Sequence, residues 1–363
     1  MKMNLVDKLY NPFISKNDST DRVMADVVIA LIPSIIFAWV AYGFTSVMVV
    51  LVSVGSALFS EFLFNIIFSR NNRSLGDGSS IVTGILLAFT VGAFIPLPVV
   101  AAGSALAVIF GKMLWGGLGR NRFNPALTGR EFMVILFPAV MNSPEIWQNQ
   151  DFINYKGIEL FGNSFFDSLL YKPVGAIGEY SPLFLIIGGL FLLWRRRISW
   201  HIPFAMLIAF TVMLFIFRDQ NIGFTLGGLL LGAIYMATDM PTSSSTNAGK
   251  IYFGVMIGIV AVICLIFGAT RGYFSYSILI LNAFVVPINW IFRPRTWGKK
   301  YEIGKRLWQA VLLTATVIIV TFGVLWLDNS GKLIYLVIIY SVYSLFRFLF
   351  STGNIPWGKI IKR

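Results

Sequence analysis

The segment 111–130 holds the densest group of residues that could bind a ligand, because glycines, asparagines and arginines interrupt an otherwise apolar sequence there. Glycines let the backbone approach a ligand closely, and Asn121 and Asn124 can each donate and accept hydrogen bonds. A helix beginning after Pro125 would add free backbone amides. Such a loop could hold a flat heteroaromatic ligand with imide-like edges. A tight loop between two membrane spans would have a similar composition, so both interpretations stay open.

Three acidic side chains could interact with a cation. Asp77 precedes the third apolar run of the chain, Asp239 ends the eighth, and Glu61 lies inside the second. Carboxylates at a membrane boundary can replace the water around a small cation, but they can equally cap a helix or face solvent. Glu61 is more costly to bury than the other two, which strengthens the argument that it has a function.

Metal-based chemistry cannot be built from this chain alone. The sequence has one cysteine, Cys264, and one histidine, His201. These residues exclude a disulfide framework, a Cys-ligated cluster, a zinc site and a bis-histidine haem. Any redox chemistry must therefore use an organic cofactor or a metal held by a partner.

The elements that position these residues must be membrane helices. Of the 363 residues, 57% are hydrophobic and only 12% are charged, which is too few to wet the surface of a soluble protein of this size. The apolar runs approach the roughly 20 residues that a helix needs to cross a membrane. We therefore expect an all-α polytopic membrane protein. The predicted spans are 25–43, 46–68, 80–95, 97–115, 131–144, 181–194, 202–217, 222–238, 251–269, 274–292, 308–327 and 333–350.

The distribution of charge predicts the topology. If twelve spans are counted, basic residues at 70–73, 120–130, 195–197, 293–306 and 359–363 fall on one side, which the positive-inside rule makes cytoplasmic. The net charge of +13 is then explained without a nucleic-acid partner. The acidic segment 145–180 is expected to face outward. We expect no signal peptide, and both termini should be cytoplasmic.

Two spans contain breaks. The segments 80–98 and 222–241 carry glycine, proline and threonine where an uninterrupted helix would be apolar. Broken backbone at membrane depth must be buried or line a cavity, and pairs of broken segments often mark internal repeats. These two lie at comparable places in two blocks of five spans. Because each block has an odd number of spans, the sequence predicts an inverted repeat, followed by two further spans.

Four ordered motifs carry a resemblance to a known family. The chain resembles the NqrB/RnfD family, the membrane flavin subunits of sodium-pumping NADH:quinone oxidoreductase and of the Rnf electron-transport complex, and is most similar to RnfD. The motifs are Asp-Gly-Ser-x-x-Val-Thr-Gly at 77–84, Gly-Lys-x-x-x-Gly-Gly-x-Gly-x-Asn-x-x-Asn-Pro-Ala-Leu at 111–127, Gly-x-Ile-Gly-Glu at 175–179 and Met-Ala-Thr-Asp-x-Pro at 236–241.

The resemblance implies a fold of ten helices in two inverted five-helix repeats, similar to urea transporters. It also implies electron transfer between flavins, with riboflavin held without a covalent bond. The Asn-x-x-Asn pair of the family falls on Asn121 and Asn124, and the acidic positions linked to sodium uptake fall on Asp77 and Asp239. The complete set of expected site residues is Asn121, Asn124, Gly117, Gly119, Thr83 and Ser164 for flavin, and Asp77, Asp239 and Glu61 for a cation path.

The chain departs from the family in three respects. The threonine motif that carries covalent FMN in the outward loop is missing, and Ser164 and Ser168 are only hydroxyls in the same loop, so we expect no covalent FMN. Asn289 replaces an acid near the end of the tenth span, and an amide cannot offset the charge of a dehydrated cation. The last two spans lie beyond the usual end of the family.

These observations predict three segments, a cytoplasmic N-terminus at 1–24, a flavin-binding membrane domain at 25–298 and an additional two-span segment at 299–363. The predicted function is that of a membrane subunit of an Rnf-type complex in a prokaryotic inner membrane, where bound flavin relays electrons and cation transport is coupled to it. Its partners would be the lipid bilayer and the other membrane, iron–sulfur and flavin subunits. The alternative is a non-redox transporter or scaffold of the same fold that has lost its flavins.

Overall fold

The computed structural model describes residues 19–69, 72–147, 175–218, 223–269, 272–294 and 303–351. Across these residues the regular secondary structure is helical, without a strand. The α-helices of six or more residues are α1 (Thr20–Tyr42), α2 (Phe44–Phe64), α3 (Ser79–Phe89), α4 (Leu97–Gly111), α5 (Pro125–Leu136), α6 (Pro182–Trp194), α7 (His201–Ile216), α8 (Leu226–Leu231), α9 (Asn247–Ile266), α10 (Tyr273–Ala283), α11 (Val285–Ile291), α12 (Ile303–Asn329) and α13 (Leu333–Ser351).

The chain is a polytopic α-helical membrane protein, as predicted. In the described part of the chain, six helices are long and apolar enough to cross a membrane, and α10 and α11, which meet at a bend of 57°, make a seventh span if the pair is counted as one. The helices α3, α6, α7 and α8 are apolar but shorter. The two segments predicted to break do so, since α3 has only 11 residues and α8 continues as a π-helical turn over Gly232–Met236.

Helices occur at all twelve predicted positions, but the prediction for the fifth was wrong in its bounds. The sequence predicted a span at 131–144, whereas α5 covers Pro125–Leu136, and a four-residue helix, Pro138–Met141, follows a break at Phe137. The reason is that Arg130 and Glu131 were placed at the membrane boundary, although both are buried within α5. Pro125 occupies the first turn of this helix, where its missing N–H costs no hydrogen bond.

The two blocks of helices are antiparallel. Near the start of α1, Asp26 pairs with Arg197 just beyond the end of α6, whereas further along α1 the Phe37 ring lies 4.9 Å from the Phe184 ring near the start of α6. The fifth helices repeat this relation. Asn282 lies near the end of α10. When the oxygen and nitrogen of its side-chain amide are assigned so that both are hydrogen-bonded, the oxygen accepts a hydrogen bond from the Asn124 N–H at the start of α5, at 3.0 Å. Corresponding helices that run in opposite directions are what an inverted repeat produces.

Glycines bring α7 and α9 into close contact. A Cβ atom on Gly254 would lie 2.6 Å from the backbone oxygen of Ile202, and one on Gly258 would lie 2.6 Å from that of Met206. The two glycines are four residues apart and therefore share a face of α9. Small residues at this spacing allow membrane helices to approach closely, where dispersion contacts replace the hydrophobic driving force that lipid removes.

The last helix packs against the glycine-rich loop. On α13, Tyr340 accepts a hydrogen bond from the Trp115 ring N–H at 3.0 Å and donates one to the Phe110 carbonyl at 2.9 Å. The Arg347 guanidinium lies 4.2 Å from the centre of a Trp115 ring, a distance at which a cation is attracted to an aromatic face. The added helix thus holds the loop against the first block.

Candidate functional site

One cavity collects most of the predicted site residues. Its volume is about 710 Å³, and residues from both blocks line it, including some that are more than a hundred positions apart in the chain. The predicted residues in its lining are Asp77, Thr83, Gly119, Asn121, Asn124 and Asp239. A volume of several hundred cubic ångströms is typical of sites for small molecules and cofactors.

The loop beside this cavity requires glycine for its conformation. Gly116, Gly117 and Gly119 have φ angles of 106°, 90° and 84°, in the left-handed region that other residues rarely adopt. A Cβ atom on Gly117 or Gly119 would meet no atom within 4 Å, so the backbone conformation rather than space selects these glycines. Gly119 lines the cavity, whereas Gly117 lies in the preceding turn.

Asn124 is the N-cap of α5, and its side chain is fully used inside the protein. The side-chain oxygen accepts hydrogen bonds from the N–H groups of Ala126 at 3.0 Å and Leu127 at 3.3 Å. Its amide nitrogen donates to the carbonyl of Met236, at 3.1 Å, in the second block. Capping of this kind typically contributes about 1 kcal/mol to stability. Asn124 therefore joins the two blocks at the floor of the cavity, and a substitution there would affect more than ligand contacts.

Asn121 is different, because part of its side chain is unsatisfied. The residue is only 5% exposed, and within the described residues its Oδ1 atom has no hydrogen-bond partner. The side chain hydrogen-bonds the Asp239 carboxylate. A buried acceptor without a partner costs about 1–3 kcal/mol. Because Asn121 also lines the cavity, a ligand N–H or O–H group is the natural partner for this oxygen.

The acidic residues Asp77 and Asp239 line the same cavity from opposite blocks. Asp77 accepts hydrogen bonds from the backbone N–H and the hydroxyl of Ser79, the first residue of α3, at 2.8 and 2.6 Å. Asp239 follows the π-helical turn and accepts a hydrogen bond from Thr242 at 2.8 Å. Burial raises the pKa of Asp239 to about 6, although its hydrogen bonds with Thr242 and Asn121 act in the opposite direction.

Glu61 does not line the cavity but pairs with a cation that does. Its Oε1 atom lies 2.7 Å from the Nζ atom of Lys112, and both residues are only 1% exposed. Glu61 was predicted as a site residue from the sequence, but its partner Lys112 was not. The signal was present, because an ionisable side chain in the apolar segment 97–115 is a functional candidate by default.

A second buried polar group joins the blocks deeper in the bundle. Arg130 is 3% exposed, and its guanidinium lies 3.3 Å from Glu131, 5.4 Å from the Phe274 ring centre and 3.4 Å from the Thr90 carbonyl oxygen. It also donates to the hydroxyl of Ser275 on α10. The charge pattern predicted Arg130 to be one of the basic residues of a cytoplasmic loop. That assignment was wrong, because the partners that allow its burial are distant in the chain.

Asn289 and Ser164 are the two remaining residues that the sequence singled out. Asn289 accepts hydrogen bonds from the hydroxyl of Ser244 at 2.7 Å and the N–H of Ser245 at 3.0 Å, so its amide organises the turn that follows Asp239. Ser164 belongs to the segment 148–174, which lies outside the described residues.

Comparison with known proteins places this architecture among characterised sequences. Residues 9–298 match the model of the NQR2, RnfD, RnfE family, and the match ends before α12 begins. One relative is the D subunit of the Na(+)-translocating ferredoxin:NAD(+) oxidoreductase complex of Acetobacterium woodii, which is 30% identical over 305 residues, with 79% of this chain and 94% of the relative covered.

Two other relatives are as similar. The D subunit of the ion-translocating oxidoreductase complex of Cronobacter sakazakii is 29% identical, with 80% of this chain and 98% of the relative covered. The D subunit of the proton-translocating ferredoxin:NAD(+) oxidoreductase complex of Clostridium ljungdahlii is also 29% identical, with coverage of 83% and 98%. The names of the Acetobacterium and Clostridium proteins specify different ions, sodium and the proton.

Proposed function

Because this chain belongs to the NQR2, RnfD, RnfE family, we propose that it is the RnfD-type membrane subunit of an ion-translocating oxidoreductase complex, in which it binds flavin and relays electrons. Its cavity is the proposed flavin site. Cation transport by the complex is coupled to this relay.

The Oδ1 atom of Asn121, which has no hydrogen-bond partner among the described residues, is the observation that carries the proposal. Flavin fits the residues present, because its ring edge offers an N–H donor to this oxygen. When bound, flavin supplies the ability to accept and release electrons, which the side chains of this cavity lack. Gly117 and Gly119 give the loop its left-handed backbone turns, Asn124 fixes the start of α5, and Thr83 forms part of the wall.

The binding is proposed to be non-covalent and riboflavin-like. The sequence lacks the threonine motif that would attach FMN. Ser164 offers a hydroxyl in the same outward loop, but that attachment motif does not surround it. Electrons would reach the site from iron–sulfur and flavin subunits, since one histidine and one cysteine cannot hold such centres.

The cation path is proposed to run through Asp77, Asp239 and Glu61, which approach the cavity from both blocks. The chain is proposed to lie in a prokaryotic inner membrane with both ends cytoplasmic, because its basic residues fall on one side of the predicted topology. The cavity would then open toward the cytoplasm.

A non-redox scaffold or transporter of the same fold is the second candidate. The missing threonine motif and the amide of Asn289 favour it. The unpaired oxygen of Asn121 argues against it, because a scaffold gains nothing from an unsatisfied buried acceptor.

Flavin content separates the two candidates. The chain should be purified with its co-purifying partners, its absorbance recorded, and a denaturing gel viewed under ultraviolet light. We expect flavin absorbance from the native sample and no fluorescent band at the mass of this chain. A fluorescent band there would show covalent attachment, and a colourless preparation would leave the scaffold as the better description.

Replacing Asn121 with leucine should weaken flavin binding by about 1–3 kcal/mol, or roughly 5- to 150-fold, because the acceptor for the ring N–H is lost. Fluorescence titration of the apoprotein with riboflavin measures this affinity. Asn142→Leu is the control, since Asn142 is exposed after the far end of α5. Equal affinities of the two variants would remove Asn121 from the site.

A further inference from the structure

Lys112 is buried where α4 ends, and its ammonium lies among oxygen atoms. The Nζ atom is 2.7 Å from Glu61, 3.7 Å from Asp77 and 3.4 Å from the hydroxyl of Ser80, and it also hydrogen-bonds Ser79. Lys112 and Asp77 line the cavity, whereas Glu61 lies behind them. The lysine therefore separates the deeper carboxylate from the cavity.

The oxygens around this ammonium belong to the class that binds a hard cation. Two carboxylates and two hydroxyls converge there, and the Ser80 hydroxyl also donates to the second oxygen of Glu61. Carboxylate and hydroxyl oxygens are the ligands preferred by alkali and alkaline-earth cations. In this structure the Lys112 ammonium lies among these oxygen atoms.

Charge balance explains why a cation must be present. A buried carboxylate is strongly destabilising unless it is paired, and removing one partner of a buried pair costs more than the pair contributes. Glu61 is 1% exposed, and within the described residues Lys112 is the cation with which it forms an ion pair. A free cation could reach Glu61 only by replacing the ammonium.

We propose that Lys112 is a tethered cation, which occupies the oxygen site of Glu61 and Asp77 and yields it to a free monovalent cation only when its side chain moves away. This inference deepens the proposed cation path and rests on it. Lys112 is then the residue that determines whether these carboxylates bind an ion from solution. With Lys112 in place, they remain satisfied without a bound ion.

The test is cation-dependent stability after replacing Lys112 with glutamine. The full chain, purified in detergent with its partners, is heated in sodium chloride or in choline chloride at equal ionic strength, so that general screening is constant. We expect a low melting temperature for Lys112→Gln in choline and a rise of roughly 3–8 °C in sodium, because sodium binds the vacated site. The wild type should melt at the same temperature in both salts.

Two variants serve as controls. Lys112→Arg keeps the positive charge and should show no sodium dependence, and the double variant Glu61→Gln, Lys112→Gln should be stable in choline because the buried charge is gone. If Lys112→Gln cannot be recovered in choline, purification throughout in sodium should recover it. The proposal would be overturned if Lys112→Gln had the same melting temperature in sodium and in choline chloride. It would also be overturned if folded Lys112→Gln could be recovered in neither salt while the double variant was stable.

The same preparations separate this inference from the proposed function. Flavin absorbance is recorded before each melt. Sodium dependence of Lys112→Gln in a flavin-free protein would support the tethered cation and contradict the electron relay. Flavin absorbance without sodium dependence would support the relay and contradict the tethered cation.

Discussion

Replacement of Arg130 by methionine is expected to lower the free energy of unfolding by about 3–5 kcal/mol, the cost of leaving a buried charge without its partner. Methionine would fill a similar volume but leave Glu131 without the cation that lies 3.3 Å from it. The contact with Ser275 on α10 would be lost as well, which weakens the junction between the blocks. Thermal or denaturant unfolding in detergent measures the change.

Arg195→Met is the matched control for this prediction. Arg195 also pairs with a carboxylate, Asp26, at 3.1 Å, but its side chain is 45% exposed and Asp26 keeps Arg197 as a second partner. Exposed pairs of this kind contribute about 0–1 kcal/mol. If the two variants lose similar stability, the central role of Arg130 in joining the blocks is refuted.

Replacement of Gly258 by alanine should destabilise the protein by about 1–3 kcal/mol, because it overpacks the contact between α7 and α9. The new Cβ atom would lie 2.6 Å from the Met206 carbonyl oxygen and 2.9 Å from the Phe210 nitrogen. Both are backbone atoms, so the clash cannot be relieved by rotating a side chain, and the helices must separate. The melting temperature in detergent is the measurement.

Gly323→Ala on α12 should change stability in the opposite direction. Gly323 is exposed, and a Cβ atom there would meet nothing within 4 Å. In an exposed helix interior, alanine is favoured over glycine by roughly 0.5–1 kcal/mol. A destabilised Gly323→Ala variant would contradict the open surroundings described for Gly323 on α12. A neutral Gly258→Ala variant would contradict the close contact described between α7 and α9.

The membrane helices could be predicted because length and hydropathy are local properties. The bounds of α5 could not, since they depend on Arg130 and Glu131 being buried. Their burial is possible because Ser275, 145 residues away in sequence, supplies a partner across the junction of the blocks. A hydropathy profile places charged residues at the ends of a span, so it assigned Arg130 and Glu131 to the membrane boundary. No periodic sequence pattern reveals a partner 145 residues away.

The candidate site was predictable as a set of residues but not as a set of roles. The motifs selected Asn121 and Asn124 together, and both line the cavity. Only their surroundings distinguish them, because Asn124 uses its amide in a helix cap while Asn121 keeps an oxygen unpaired. Likewise the sequence indicated that Glu61 is costly to bury, but its partner Lys112 is 51 residues away.

The hydrogen bond between Trp115 and Tyr340 has a consequence for how the protein is made. The two residues are 225 positions apart, so the ribosome synthesises the glycine-rich loop long before α13 exists. Throughout that interval the loop lacks the hydrogen bond and the ring contact that later join it to α13. The contacts between α13 and this loop therefore form only after nearly the whole chain has been synthesised.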